Sequence, residues 1–181
     1  MVEASAAVAR TGRSDPLRFN RTLGLGIALA IFVLDQAVKW IVTYILQLPE
    51  RITIVWLPFF QLNWVPNHGV SMGFLTANGE IQRWLLVGLT AAISVFVAAW
   101  LWRERRRDDS IALALVLGGA LGNILDRVRL GYVVDYADLH FGDWRPFLVF
   151  NLGDAAITIG VLLLLLRALL TRERKAPREK V

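Results

Sequence analysis

Four long apolar runs constrain this chain more than any other feature. A helix that crosses the hydrocarbon core of a bilayer needs about 20 mostly apolar residues. The first run extends from Thr22 to Leu46, and its only charges are Asp35 and Lys39. The second, Trp84 to Trp102, has no charge. The third, Ser110 to Leu125, closes on Asp126 and Arg127, and the fourth, Phe147 to Leu166, contains only Asp154. A chain of 181 residues that is 56% hydrophobic and 19% charged departs from the globular averages of roughly 45–50% and 25%. Together the runs and the composition exclude a soluble enzyme, a disordered chain and a fibrous repeat.

The net charge of +5 could suggest a nucleic-acid partner, but the basic residues sit in short blocks between the apolar runs. Arg10, Arg13, Arg18 and Arg21 precede the first run. Arg103, Arg105, Arg106 and Arg107 link the second and third. Arg172, Arg174, Lys175, Arg178 and Lys180 follow the fourth. All three blocks fall on one side of a four-span protein, so both termini are expected in the cytoplasm. Trp100 and Trp102 would mark the inner boundary, and Trp84 and Trp144 the outer one. Cysteine is absent, which removes disulfides, thiol nucleophiles and cysteine-bound metals.

The expected fold is therefore an all-α integral membrane protein of four transmembrane helices with a small extracytoplasmic β-sheet. Its parts would be a cytoplasmic tail 1–21, a membrane domain 22–170 and a cytoplasmic tail 171–181. The spans are expected near 22–46, 84–102, 110–127 and 147–167. The Ala4–Ala9 stretch precedes the first apolar run, so that run is expected to remain as an anchor rather than a cleaved leader. In the outer loop 47–83, the β-branched stretch from Arg51 to Leu57 reads as a strand. In Gly118-Gly-Ala-Leu-Gly122 small residues recur four apart, which lets another helix approach closely.

Ionisable groups inside a bilayer cost about 2.5 kcal/mol or more each and often mark function. At about 1.5 Å per residue, Asp35 lies roughly 20 Å from the inner face and Asp126 roughly 24 Å. Asp154 and Asp135 are expected at a similar level, so the carboxylates gather near the outer surface on helical ends. Asp35 and Lys39 are i and i+4 on one face, and fit a structural ion pair as well as a functional one. Asp126-Arg127 reads as a clamp at the end of the third span. Asn123 shares a face with Arg127, and Asn151 shares one with Asp154. Asp135 and Asp154 have no basic neighbour at helical spacing. Such a pair could share a proton and serve acid–base chemistry, or play a structural or transport role.

In order along the chain, these residues resemble the lipoprotein signal peptidase (signal peptidase II) family. The motif D-Q-x-x-K appears as Asp35-Gln36-Ala37-Val38-Lys39, and N-x-G-x-[AS]-F as Asn67-His68-Gly69-Val70-Ser71-Met72. G-N-x-x-D-R is Gly122-Asn123-Ile124-Leu125-Asp126-Arg127, and G-x-V-x-D-[FY] is Gly131-Tyr132-Val133-Val134-Asp135-Tyr136. F-N-x-A-D is Phe150-Asn151-Leu152-Gly153-Asp154. Met72 replaces the usual Phe and Gly153 the usual Ala. The resemblance implies an aspartic endopeptidase of the bacterial inner membrane, active near its periplasmic face. It would remove signal peptides from diacylglyceryl-modified prolipoproteins just before the lipidated cysteine. Asp135 and Asp154 would be the catalytic dyad. Asp35, Lys39, Asn67, Gly69, Asn123, Asp126, Arg127 and Asn151 would support it or bind substrate. The resemblance implies no metal or other cofactor. Expected partners are the lipid-modified substrate, membrane lipids and globomycin-type inhibitors, with no nucleic acid, and the protein is expected to be a monomer.

Two rival readings come from other classes. Gly69-Val-Ser-Met-Gly73 matches G-x-S-x-G and could suggest a serine hydrolase with His68 or His140 as base. It would need a strand–turn–helix elbow at Ser71. A proton-coupled transporter also uses intramembrane Asp, but it commonly carries repeats and broken helices at the midplane, and no repeat is visible here.

Overall fold

A computed structural model describes residues 16–69 and 79–173. Val70, Ser71 and Met72, and with them the proposed elbow, lie outside the described residues, as do most of the two charged tails. Helix α1 (Pro16–Trp40) continues into a π-helical turn (Ile41–Ile45), followed by the single-turn helix α2 (Leu48–Arg51). Strands β1 (Thr53–Leu57) and β2 (Phe60–Asn67) come next, then α3 (Gly79–Arg103), α4 (Arg107–Arg129), β3 (Val133–Leu139) and α5 (Leu152–Glu173).

Among the described residues, four helices are long and apolar enough to cross a membrane: Leu17–Ile45, Glu80–Arg103, Arg107–Arg129 and Leu152–Leu170. In hydrocarbon a backbone must satisfy its own hydrogen bonds, which a helix does within one segment. The large side chains left outside, such as Leu29, Val95, Phe96 and Leu162, then face lipid. Trp84, Trp100, Trp102 and Trp144 are all exposed, as boundary residues should be.

Helix α4 is the centre of the bundle and packs against α1, α3 and α5. Half of its most apolar window is buried, against 17–22% for the other spans. Its glycines allow this. A Cβ on Gly118 would collide with the carbonyl of Ala28 in α1, one on Gly119 with the carbonyl of Gly153 in α5, and one on Gly122 with the carboxylate of Asp35. The small-residue pattern thus sets backbone-to-backbone distances around the buried charges. Gly119→Ala is expected to destabilise the protein by about 1–3 kcal/mol through forced separation of α4 and α5. Gly88→Ala, where an added Cβ meets nothing within 4 Å, serves as the control. Thermal unfolding of both variants in detergent checks this.

The three strands form one antiparallel sheet in the order β1-β2-β3. Leu62, Val134, Tyr136 and Ala137 of the sheet are buried in one cluster with Val42 and Leu48, at the end of the first span. Three expectations need correction. The first strand begins at Thr53, because Leu48–Arg51 makes a helical turn with Pro49 near its start, and Ile52 leaves it at φ 64°. Asp135 is not on a helical end: it lies in β3, opposite Val65. The last helix begins at Leu152 rather than Phe147. Phe150 is instead held extended beside β3 by Phe150 N–H to Ala137 O (3.0 Å) and Ala137 N–H to Phe150 O (2.8 Å).

Candidate active site

Asn151 starts helix α5 and decides where Asp154 points. The Asn151 side-chain oxygen accepts from the backbone N–H of Asp154 at 2.9 Å, while the Asp154 carboxylate accepts from the Asn151 N–H at 3.3 Å. This reciprocal pair is a capping box. It fixes both side chains through the helix start itself. The spacing of three that puts Asn151 and Asp154 on one face is the spacing from N-cap to N3.

Asp135 arrives from the sheet. Its carboxylate accepts from Asn151 Nδ2 (2.6 Å) and from Asn67 Nδ2 (2.9 Å). Asn67 is turned the right way by its own loop, because its oxygen accepts from the backbone N–H of Gly69 at 2.8 Å. That leaves only the amide NH2 to face Asp135. Gly69 sits at φ 96°, a left-handed conformation that suits glycine, and a Cβ there would strike Leu86. Gly69 therefore positions Asn67.

Below the two carboxylates lies a buried charge network. Lys39 Nζ donates to Asp35 (2.8 Å), to Asp126 (2.8 Å) and to Asn123 Oδ1 (3.0 Å), which uses all three of its protons. Asn123 Oδ1 also receives Asn151 Nδ2 (3.2 Å), so Asn123 turns its NH2 to Asp154 at 2.7 Å. The polarity runs one way: ammonium, amide oxygen, amide NH2, carboxylate. Asp35 further accepts from the Gly153 N–H (2.9 Å) and Asp126 from the Val134 N–H (3.2 Å), which ties the network to α5 and to β3.

Asp126 is thus clamped by Lys39 rather than by its sequence neighbour Arg127. A helix turns about 100° per residue, so 126 and 127 face different ways. Arg127 is half-buried on the side of the carboxylate pair, where it feels the charges of Asp154, Asp135 and Asp126. Its guanidinium Nη2 lies 3.7 Å from where a Cβ on Gly69 would stand. The fold therefore brings Asp35, Lys39, Asn67, Gly69, Asn123, Asp126, Arg127, Asp135, Asn151 and Asp154 into one continuous site. His68 stays exposed beside Tyr132, and His140 lies at the end of β3. Among the described residues, no three His, Asp or Glu are grouped to hold a metal ion.

Two further residues belong to the site. Gln36 Nε2 reaches Asp35 (3.2 Å), Asp126 (3.0 Å) and the Gly122 carbonyl (3.3 Å), and so bridges α1 to α4. The Tyr136 hydroxyl accepts from the Leu152 N–H at 3.2 Å, which ties β3 to the start of α5. Both stand inside quoted motifs, Gln36 next to Asp35 and Tyr136 next to Asp135. That adjacency was the available signal.

Burial is the main cause that raises the Asp135 carboxyl to about 6, and the negative charge of Asp154 adds to it. The hydrogen bonds from Asn67 and Asn151 and the charge of Lys39 oppose this rise. A carboxyl in that range can hold or release a proton near neutral pH.

Known proteins share both the sequence pattern and the shape. The sequence profile described as "Signal peptidase (SPase) II" matches residues 27–170, which include all five motifs. The chain belongs to the signal peptidase II family. The lipoprotein signal peptidase of Rhizorhabdus wittichii is 56% identical over 168 residues, 93% of this chain and 98% of that protein. The one from Sphingopyxis alaskensis is 52% identical, with 91% and 92% covered. A bacterial membrane enzyme solved by the in meso method at 2.3 Å resolution superposes with TM-score 0.70 at 26% identity, over 88% of this chain and 94% of that one. Membership of the signal peptidase II family makes this multi-pass membrane protein a peptidase, and the four-span bundle with its small sheet is shared with solved membrane enzymes.

Proposed function

We propose that the chain removes signal peptides from diacylglyceryl-modified prolipoproteins, cutting just before the lipidated cysteine, with Asp135 and Asp154 as an acid–base dyad. One observation carries this reading: Asn151 joins the two carboxylates from two elements, its Nδ2 on Asp135 and its N–H on Asp154. Among the described residues, the side chains that hydrogen-bond the two carboxylates, Asn67, Asn123 and Asn151, all do so as donors.

In this mechanism one carboxylate takes a proton from water as the water oxygen bonds to the scissile carbonyl carbon. The other, protonated, gives its proton to the carbonyl oxygen. The tetrahedral diol then breaks its C–N bond as the carboxyl that took the water proton gives it to the nitrogen and a diol hydroxyl gives its proton to the other carboxylate, so the pair again holds one proton. Arg127, close to both acids, stabilises negative charge that develops on the adduct oxygen. The site sits at the end of the bundle covered by the sheet. The positive-inside rule applied to the basic blocks supports that end lying outside the cytoplasm, with both termini inside. A signal peptide is itself an apolar helix, so its scissile bond, next to the lipid anchor, reaches the same level. Globomycin-type lipopeptides, which resemble the substrate, would occupy this site.

The test is cleavage by the purified protein in detergent, with mass spectrometry of the product. The expected product begins at the lipidated cysteine, and the unmodified precursor should be a poor substrate. Equal cleavage of both, or a cut elsewhere, would reject the specificity. The pH dependence tests the dyad. The proton that burial and Asp154 hold on Asp135 leaves near pH 6 in the free protein, so kcat/KM should fall above that value as the acid is lost. It should fall again at lower pH when both carboxylates are protonated, since no base then remains. Histidine titrates in the same range, so His68→Ala and His140→Ala are the controls and should keep both limbs. Loss of a limb in either variant would move the role to histidine.

A further inference from the structure

Beside the Lys39–Asp126 pair, the ends of α1 and α4 and the sheet line a hollow of about 120 Å³ that neither Asp135 nor Asp154 lines. One ordered water needs only about 10–15 Å³, so a larger polar group fits. The floor is Gln36, Lys39 and Asp126. Its hydrogen bonds are spent, because Lys39 already serves Asp35, Asp126 and Asn123, and Gln36 serves both acids.

The walls are different. Arg129, Thr43, Tyr44 and Tyr132 line the hollow, and their polar groups have no hydrogen-bond or ion-pair partner among the described residues. Arg129 and Arg127 lie about 200° apart on the helix, so Arg129 serves this face and not the dyad. Lys39 is shared between Asp35 and Asp126, so Arg129 is the cation of the walls that is not drawn into that network. The mouth is built by the π-helical turn, which closes with Leu46 N–H to Ile41 O at 2.9 Å. The rings of Trp40 and Tyr44 stand 6.2 Å apart there, both largely exposed, beside exposed Ile41 and Ile45. Aromatic residues at the end of a span mark headgroup depth, and π-helical turns recur at functional sites.

We propose that this hollow binds the headgroup of an anionic phospholipid in the leaflet on the sheet side. The phosphodiester would pair with Arg129, the headgroup hydroxyls with Thr43 and Tyr44, and the acyl chains would run down past Ile41. The apolar rim favours a lipid over a free anion, because only a lipid places its phosphate at that depth with hydrocarbon below.

The test uses the full-length protein in nanodiscs of phosphatidylcholine with added phosphatidylglycerol. Lipid retained after mild extraction is counted by native mass spectrometry. The protein is expected to retain phosphatidylglycerol in preference, and Arg129→Gln should lower that preference about fivefold, the value of one charge near the membrane surface. Thr43→Leu, which fills the hollow and keeps the charge, should lower it too. Arg105→Gln, at the opposite end of the bundle, should leave this lipid in place. Equal retention of both lipids, or no loss in Arg129→Gln and Thr43→Leu, would overturn the proposal. Inorganic phosphate raising thermal stability as much as phosphatidylglycerol would overturn the lipid assignment.

Discussion

Asp135→Asn and Asp154→Asn are each expected to lower turnover by roughly 10²–10⁴-fold, the range of a lost general acid or base, with membrane insertion kept. The surroundings sharpen this expectation. Both oxygens of Asp135 accept from amides whose orientation is fixed, Asn67 by the Gly69 N–H and Asn151 by its cap of Asp154. An asparagine at 135 would turn an NH2 toward one of those donors. The site thus selects a carboxylate, and an amide of the same shape loses both the chemistry and one hydrogen bond. Single-turnover cleavage in detergent, with thermal unfolding of the same samples, separates the two losses. Turnover near that of the unaltered protein in either variant would rule out the dyad.

The largest effect on stability is expected at Lys39. Lys39→Met leaves Asp35 and Asp126 buried with no cation, which costs about 3–5 kcal/mol when one partner of a buried pair is removed. It also frees the oxygen of Asn123, so the amide that donates to Asp154 can turn over. Folded yield and activity should fall together. Adding Asp35→Asn and Asp126→Asn removes the uncompensated charges, and should recover much of the stability without the activity. Arg127→Ala should show the reverse pattern: its guanidinium faces the dyad and holds no ion pair in the buried network, so activity falls further than stability. Unfolding midpoints in detergent decide between these patterns. A Lys39→Met protein as stable as the original would show that the network contributes little to the fold.

How much of this was legible in the sequence depends on the distance over which each contact acts. The spans could be read because an apolar run is a local signal, and the glycines of α4 because close packing needs small residues four apart. The pairing of Asp35 with Lys39 could be read from helical spacing. The second partner of Lys39 could not: Asn123 and Asp126 come from another helix, with Asn123 84 positions away, and nothing local distinguishes Lys39 from Arg127 as the clamp for Asp126. Strand β3 escaped for a different reason. Six of its seven residues are buried, so it lacks the alternation of polar and apolar residues that marks a half-exposed strand. Its remaining signal was the β-branched and aromatic run Val133-Val134-Asp135-Tyr136. The start of α5 was not legible because Phe147 to Phe150 are as apolar as the helix, yet Phe150 is bonded to β3 and the helix begins only at Leu152.

The two carboxylates hang from different supports, one from a strand of the sheet and one from the cap of a membrane-spanning helix. The depth of Asp154 is set by how α5 sits in the hydrocarbon. The depth of Asp135 is set by the sheet at the end of the bundle. Bilayer thickness is then an input to the distance between them, since a thinner or thicker membrane shifts helices relative to the interface at a cost of only fractions of a kcal/mol per Å. Turnover measured in a series of bilayers of increasing acyl length should pass through a maximum where the two supports bring their acids into register. A flat response would mean that Asn151 and Tyr136, which join strand to helix, hold the pair together whatever the thickness.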